Sequence, residues 1–288
     1  MVTQSIVFGL LAAFGWGVSD FVAALIAKRV GILRTAFGVH LSSVSVTTIY
    51  LLLASSLSLV SATQWVVLAG VATLGFVTYL CFYKALQLGP IAIVSPIVGA
   101  YAMIVILLAV VVTGERLSGI QIIAVSASIG GVVLTSLNLR NLKNRQRLIG
   151  KGALYGLAAM LGLGLSQYFI GILSKDMGWF LPIYVSRLFT FAMLAPALLA
   201  WRQLPWQRFT VPLFAMVAFA GITETAGLFA FARGTEIGTI SIVAAASTVY
   251  PILPVLGGLL IFRERLSPNQ WAGLAIAMTG LLILTASA

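Results

Sequence analysis

Charge is what this chain has least of. Only 8% of its 288 residues are Asp, Glu, Lys or Arg, against about 25% in an ordinary soluble domain. Together with 61% hydrophobic residues, that scarcity excludes a water-soluble fold and any separate soluble domain. The one cysteine, Cys81, lies inside an apolar run. An intrachain disulfide and a cysteine-held metal cluster are thereby excluded. One histidine and six acidic residues supply no zinc-type His/Glu cluster, and neither a Walker loop nor a spaced Ser/His/Asp set is present. No catalytic residue, metal site or cofactor is expected. The net charge of +11 is dispersed over loops apart from one cluster, Arg140, Lys143, Arg145, Arg147 and Lys151. Beside membrane spans such a cluster reads as a topology determinant or a contact for anionic lipid, not as a nucleic-acid site.

What the chain does have is long apolar runs. A helix crossing a bilayer needs about 20 mostly apolar residues, and ten such spans fit, near 5–27, 34–56, 63–83, 91–112, 119–137, 150–173, 180–200, 209–231, 239–261 and 268–286. The first run lacks a basic n-region and a small-residue cleavage site, so it is read as a retained span. The expected fold is an all-α integral membrane protein.

The spans repeat. A shift of 149 residues carries Glu115, Arg116, Leu117, Ser118, Gln121 and Gly131 onto Glu264, Arg265, Leu266, Ser267, Gln270 and Gly280, and Gly89, Ile91 and Tyr101 onto Gly238, Ile240 and Tyr250. In the first spans a shift of 147 carries Gly15, Gly17 and Ser19 onto Gly162, Gly164 and Ser166, and His40 onto Arg187. The chain therefore divides into five-helix repeats at 1–137 and 152–288, joined by the basic connector 138–151. An odd number of spans ends each half on the opposite side from its start, so the repeats are inverted, an architecture that places a midplane site between the halves. Thirteen Lys and Arg fall on the connector's side and three, Arg116, Lys175 and Arg233, on the other. That bias places the connector in the cytoplasm, most simply at a bacterial inner (plasma) membrane, and both termini outside.

The duplicated GERLS-type stretch with Gln three residues on, Gly15-Trp16-Gly17 in the first span and the Tyr250-Pro251 step in the ninth together resemble the EamA-domain type of the drug/metabolite transporter superfamily, over the whole chain. The resemblance implies gradient-driven export or exchange of solutes ranging over amino acids, nucleotide sugars, vitamins and drugs. Two features depart from it: His40 stands where an arginine is common, and the charge bias opposes the cytoplasmic termini expected of many members.

Ionisable groups in hydrocarbon cost about 2.5–3.5 kcal/mol each on insertion scales, so Asp20, His40, Arg187 and Glu224 are the first candidates for function. Asp20 follows Trp16 by one helical turn and so shares its face, while Gln167 occupies its place in the other repeat. Two readings of these charges stand: groups that hold a solute or a coupling proton, with Glu224, Asp20 and His40 as the carriers, or an ion pair to Arg187 that neutralises charge between helices. Tyr79, Tyr83, Tyr101, Tyr168 and Tyr250 join Trp16 as candidate linings of an aromatic pocket, or as packing. Pro96, Pro251 and Pro254 are candidates for interrupting spans four and nine and for gating. Glycine pairs at 15/17, 162/164, 130/131 and 257/258 are read as helix contacts, and spans five and ten as scaffold or a homodimer surface. The expected function is a secondary transporter of small polar or amphipathic metabolites, chiefly an exporter of amino acids or related compounds coupled to a proton or counter-solute. The alternatives are a lipid-linked or vitamin/drug carrier and a non-transporting structural membrane protein.

Overall fold

The computed structural model describes residues 2–54, 60–114, 118–137, 150–200 and 210–287. Glu115, Arg116, Leu117, Arg202, Arg208 and all of the connector's basic cluster except Lys151 lie outside the described residues. The first repeat forms α1 (Val2–Val30), α2 (Ile32–Ala54), α3 (Ala62–Leu88), α4 (Ile91–Gly99), α5 (Tyr101–Thr113) and α6 (Gly119–Ser136). The second forms α7 (Lys151–Met177), α8 (Phe180–Ala200), α9 (Val211–Ile237), α10 (Ile240–Ser247), α11 (Ile252–Leu260) and α12 (Pro268–Ala286). Eight stretches among the described residues are long and apolar enough to cross a membrane, counting α4–α5 and α10–α11 as one each. With α6 and α12 they make ten spans in two inverted five-helix repeats.

Local sequence explains where the helices start and turn. Ser61 caps α3 and Ser118 caps α6, each through a reciprocal capping box with the Gln three residues on, which satisfies otherwise unpaired N–H groups. Between α1 and α2 the chain reverses at Gly31 with φ +88°, and between α7 and α8 at Gly178 with φ +82°. The two are repeat mates, and the left-handed backbone they share is open to glycine at no steric cost.

Spans four and nine are not continuous. The second break, Thr248 to Pro251, is a turn held by bonds from Thr248 N to Ala245 O (3.1 Å) and Tyr250 N to Ser247 O (3.2 Å). Pro251 has no N–H for the Ser247 carbonyl, nor Pro254 for that of Tyr250, so the helix cannot run through. The first break, at Ala100, has a different cause. Pro96 lies a full turn before it, inside α4, and Gly99 at the break packs so closely on the Pro251 ring that no side chain would fit. The two breaks thus brace each other.

Packing obeys a twofold rule. Exchanging the repeats maps α1 on α9 to α7 on α3, α1 on α10 to α7 on α4, and α2 on α9 to α8 on α3, and each of these pairs is in contact. The rule holds in detail: a Cβ added to Gly17 would lie 2.8 Å from the Tyr250 carbonyl, and one on Gly164 would lie 2.9 Å from the Tyr101 carbonyl. α6 and α12 cross each other at Gly131 and Gly280, whose missing Cβ atoms make room for the Ala277 and Ala124 backbone. Gly130 departs from the glycine-pair expectation. It faces open space, because one step along a helix rotates a residue off the contact line.

Glu264 ties the halves together at one end. Its carboxylate accepts from the backbone N–H of Ile91 (2.8 Å) and of Ala92 (2.9 Å) and lies 3.7 Å from Lys28 Nζ. A residue of the second repeat therefore caps α4 of the first, where free N–H groups and the helix dipole favour an anion.

Gly131→Leu is expected to overpack the α6–α12 crossing and cost about 1–3 kcal/mol, whereas Gly130→Leu on the open side should stay within about 0.5 kcal/mol. Thermal unfolding in detergent reads both; identical melts would show that the crossing does not depend on a bare backbone.

Candidate functional site

A narrow cavity of about 40 Å³ lies where the repeats meet, lined by Trp16, Asp20, Tyr79, Phe82, Tyr101, Leu163, Gln167, Glu224 and Tyr250. Trp16 and Asp20 stand one turn apart on α1, and their repeat mates Leu163 and Gln167 stand one turn apart on α7. The cavity therefore straddles the pseudo-twofold axis with unlike walls, an indole and a carboxylate facing an aliphatic chain and an amide.

Three rings form one end. The Trp16 centroid is 6.0 Å from that of Tyr101 and 6.4 Å from that of Tyr250, and the two tyrosines, themselves repeat mates, are 6.3 Å apart. The Tyr101 hydroxyl is held by Ser247 Oγ at 2.6 Å, so the ring is fixed in place by the helix break that carries its mate. Edge-to-face and tilted arrangements of this kind suit the ring quadrupoles.

The charges lie behind Tyr79. Arg187 Nη2 is 2.9 Å from Glu224 Oε1 and donates to the Tyr79 hydroxyl at 2.7 Å, while Nη1 donates to His40 Nε2 at 3.0 Å. His40 Nδ1 is 2.9 Å from the Ala36 carbonyl. A carbonyl only accepts and a guanidinium only donates, so His40 is the neutral Nδ1–H tautomer and its Nε2 lone pair faces the arginine. That geometry leaves His40 no room for a second proton here. Glu224, 4% exposed, faces the cavity, with its carboxylate engaged by Arg187 and by the Tyr79 hydroxyl.

The sequence candidates separate accordingly. Trp16, Asp20, Tyr79, Tyr101, Glu224 and Tyr250 come together around the cavity. Arg187 lines a smaller adjoining space of about 30 Å³ that shares Tyr79, Leu163 and Gln167, and His40, fully buried, lines neither space but touches Arg187 and the Tyr79 ring. Tyr83 packs behind Tyr79, with ring centroids 6.2 Å apart, and Tyr168 is buried against Phe169; neither lines the cavity. Pro251 closes the second break, Pro254 lies in the first turn of α11 and Pro96 in the body of α4; none of the three is among the residues that line the cavity. The ion-pair partner of Arg187 is Glu224 and not Asp20. Phe82 and Leu163 carried no signal as apolar residues in apolar spans, although the shift of 147 from Trp16 leads to Leu163.

The family model for the EamA-like transporter family matches this chain twice, over residues 3–137 and 150–286. The chain belongs to that family. As an EamA-like transporter it is a membrane protein of the drug/metabolite transporter superfamily. No curated protein sequence matches it. Among solved structures, a crystal structure 16% identical in sequence aligns over 99% of this chain and 97% of the other with a TM-score of 0.71, so this EamA-like chain shares its fold.

Replacing Arg187 by Met or Glu224 by Gln leaves a buried charge uncompensated, at an expected cost of about 3–5 kcal/mol each. The double replacement should cost clearly less than the two singles summed. Simple additivity in detergent unfolding would show that the two groups do not act as a pair.

Proposed function

We propose that this protein is a secondary transporter that moves small amphipathic metabolites, of the size and polarity of amino acids and related compounds, out of the cell by alternating access. The observation that carries this is the cavity at the junction of two inverted repeats, with walls from both. Exchange of the repeats maps the junction onto itself while it reverses everything around it. Rocking one half against the other then opens the same cavity to either side. The broken spans four and nine put two turns beside that cavity, and non-helical backbone at such depth is tolerated where it lines a protein interior. A cluster of rings at one end with a few polar groups is how small-molecule sites combine apolar burial with orientation. The Lys and Arg bias favours a cytoplasmic connector, which puts both termini outside.

Reconstituted into liposomes, the purified protein is expected to take up labelled amino acids or related amphipathic solutes saturably and in proportion to an imposed proton or counter-solute gradient. Trp16→Ala, which removes a wall, should lower uptake about tenfold or more without a matching loss of folded protein. Uptake no faster than in empty liposomes over a broad metabolite panel would favour a structural membrane protein instead.

A further inference from the structure

The inverted repeats build the same scaffold at both ends of the molecule, so each end is a control for the other. At the connector's end a pocket of about 570 Å³ opens between the last turn of α1, the Gly31 turn into α2 and the end of α3. Lys28, Arg29, Arg34 and Lys84 line it, with no carboxylate among the lining residues. The repeat mates at the opposite end read differently. Lys28 and Lys84 correspond to Lys175 and Arg233, but Arg29 corresponds to Asp176, Arg34 to Leu181 and Gln87 to Glu236. Four cations thereby become two cations and two carboxylates, and Arg233 is ion-paired to Glu236.

The space differs as well. Ile32, Leu33 and Leu80 line the basic pocket, and their mates are Trp179, Phe180 and Phe229. Those three rings and Tyr50 pack with centroids 4.9 to 6.0 Å apart, each ring against every other. One end is filled by rings and its charges sum to zero; the other is open and lined by cations. The fold does not require the basic pocket, since its twin does without one. Charges that merely set topology act over whole loops and need no recess, yet here cations from three helices converge on one.

We propose that the basic pocket holds the phosphate of an anionic phospholipid from the leaflet on the connector's side. The depth fits, because the ends of α1 and α3 and the start of α2 lie where spans leave the hydrocarbon and meet the headgroups. The donors fit too. Arg29 is exposed and Lys84 half-buried; Lys84 gives one of its three N–H donors to Gln87 Oε1 at 3.0 Å, and a guanidinium offers paired donors to two phosphate oxygens. Lys28 Nζ lies 3.8 Å from the centre of the Phe262 ring and 3.7 Å from Glu264 Oε1, and its charge adds to the field of the pocket. Basic pockets between membrane helices hold anionic headgroups in this way. A zwitterionic headgroup brings its own cation into the same field and loses the advantage. The site shares no residue with the central cavity and goes beyond the transporter reading.

The test uses the full chain in a neutral detergent with three probes: dioctanoyl phosphatidylglycerol, dioctanoyl phosphatidylcholine and glycerol phosphate. Melting temperature and the lipid retained in native mass spectrometry are the readouts, and neither depends on transport. Phosphatidylglycerol is expected to raise the melting temperature saturably, with one molecule retained per chain and weaker binding at high salt. Phosphatidylcholine should bind at least about tenfold more weakly. Arg29→Gln with Lys84→Gln should weaken phosphatidylglycerol binding about tenfold or more without shifting the lipid-free melt, while Arg29→Lys with Lys84→Arg, which keeps both charges, should retain it. Lys175→Gln with Arg233→Gln removes the same charge from the opposite end and should leave binding unchanged. Equal loss in both charge-removing pairs, or phosphatidylcholine binding as tight as phosphatidylglycerol, overturns the site and leaves these cations as topology determinants alone. Glycerol phosphate binding as tightly as phosphatidylglycerol overturns the lipid as the source of the phosphate.

Discussion

A guanidinium keeps its charge even inside a membrane, and the arrangement of four helices around Arg187 answers that constraint. α8 carries the cation, α9 brings the Glu224 carboxylate, α3 the Tyr79 hydroxyl and α2 the lone pair of His40. Each of these partners accepts. The single histidine is held neutral by the same logic, donating to its own helix and accepting from the arginine. Charge burial of this kind is costly unless every donor is met, so the set fixes how the two repeats lie against each other beside the cavity.

The cavity inherits its character from that settlement. With Glu224 paired to Arg187, Asp20 is left, among the described residues that line the cavity, as a carboxylate without an ion-pair partner, and the rings of Trp16, Tyr101 and Tyr250 line the cavity with it. The second repeat contributes Leu163 and Gln167 at the places where the first has an indole and an acid. A symmetric scaffold thereby encloses an asymmetric site: the duplicated helices set the shape, and divergence at two positions sets the chemistry.

Much of this was legible in the sequence, and for particular reasons. The repeats were readable because glycine, tyrosine and serine positions recur at shifts of 147 and 149, and helix crossings and caps depend on those small or polar residues. Asp20, Arg187 and Glu224 stood out because charge is rare in apolar spans. Which carboxylate meets the arginine was not readable, since that depends on the rotation of α1 and α9 about their axes. Nor was the capping of α4 by Glu264, whose partner N–H groups lie more than half the chain away in sequence. Pro96 signalled that span four is interrupted but not that the break falls a turn later, at Ala100; the close fit of Gly99 on Pro251 is a tertiary feature that a linear pattern does not display. Phe82 was invisible for the plainest reason, being one phenylalanine among many apolar neighbours.

His40 with Arg187 and Tyr101 with Tyr250 are pairs in which a residue touches its own repeat mate. Such a contact maps onto itself when the two halves trade places, so in the proposed cycle it would be formed alike in either orientation and cancel from their free-energy difference. The carboxylate of Glu264 on the end of α4 has no such property, because the same exchange moves it to the far side of the bilayer. In the alternating-access cycle proposed above, contacts on the axis would act as the hinge pin, the same whichever way the molecule faces, and contacts off the axis as the weights that decide which way it rests.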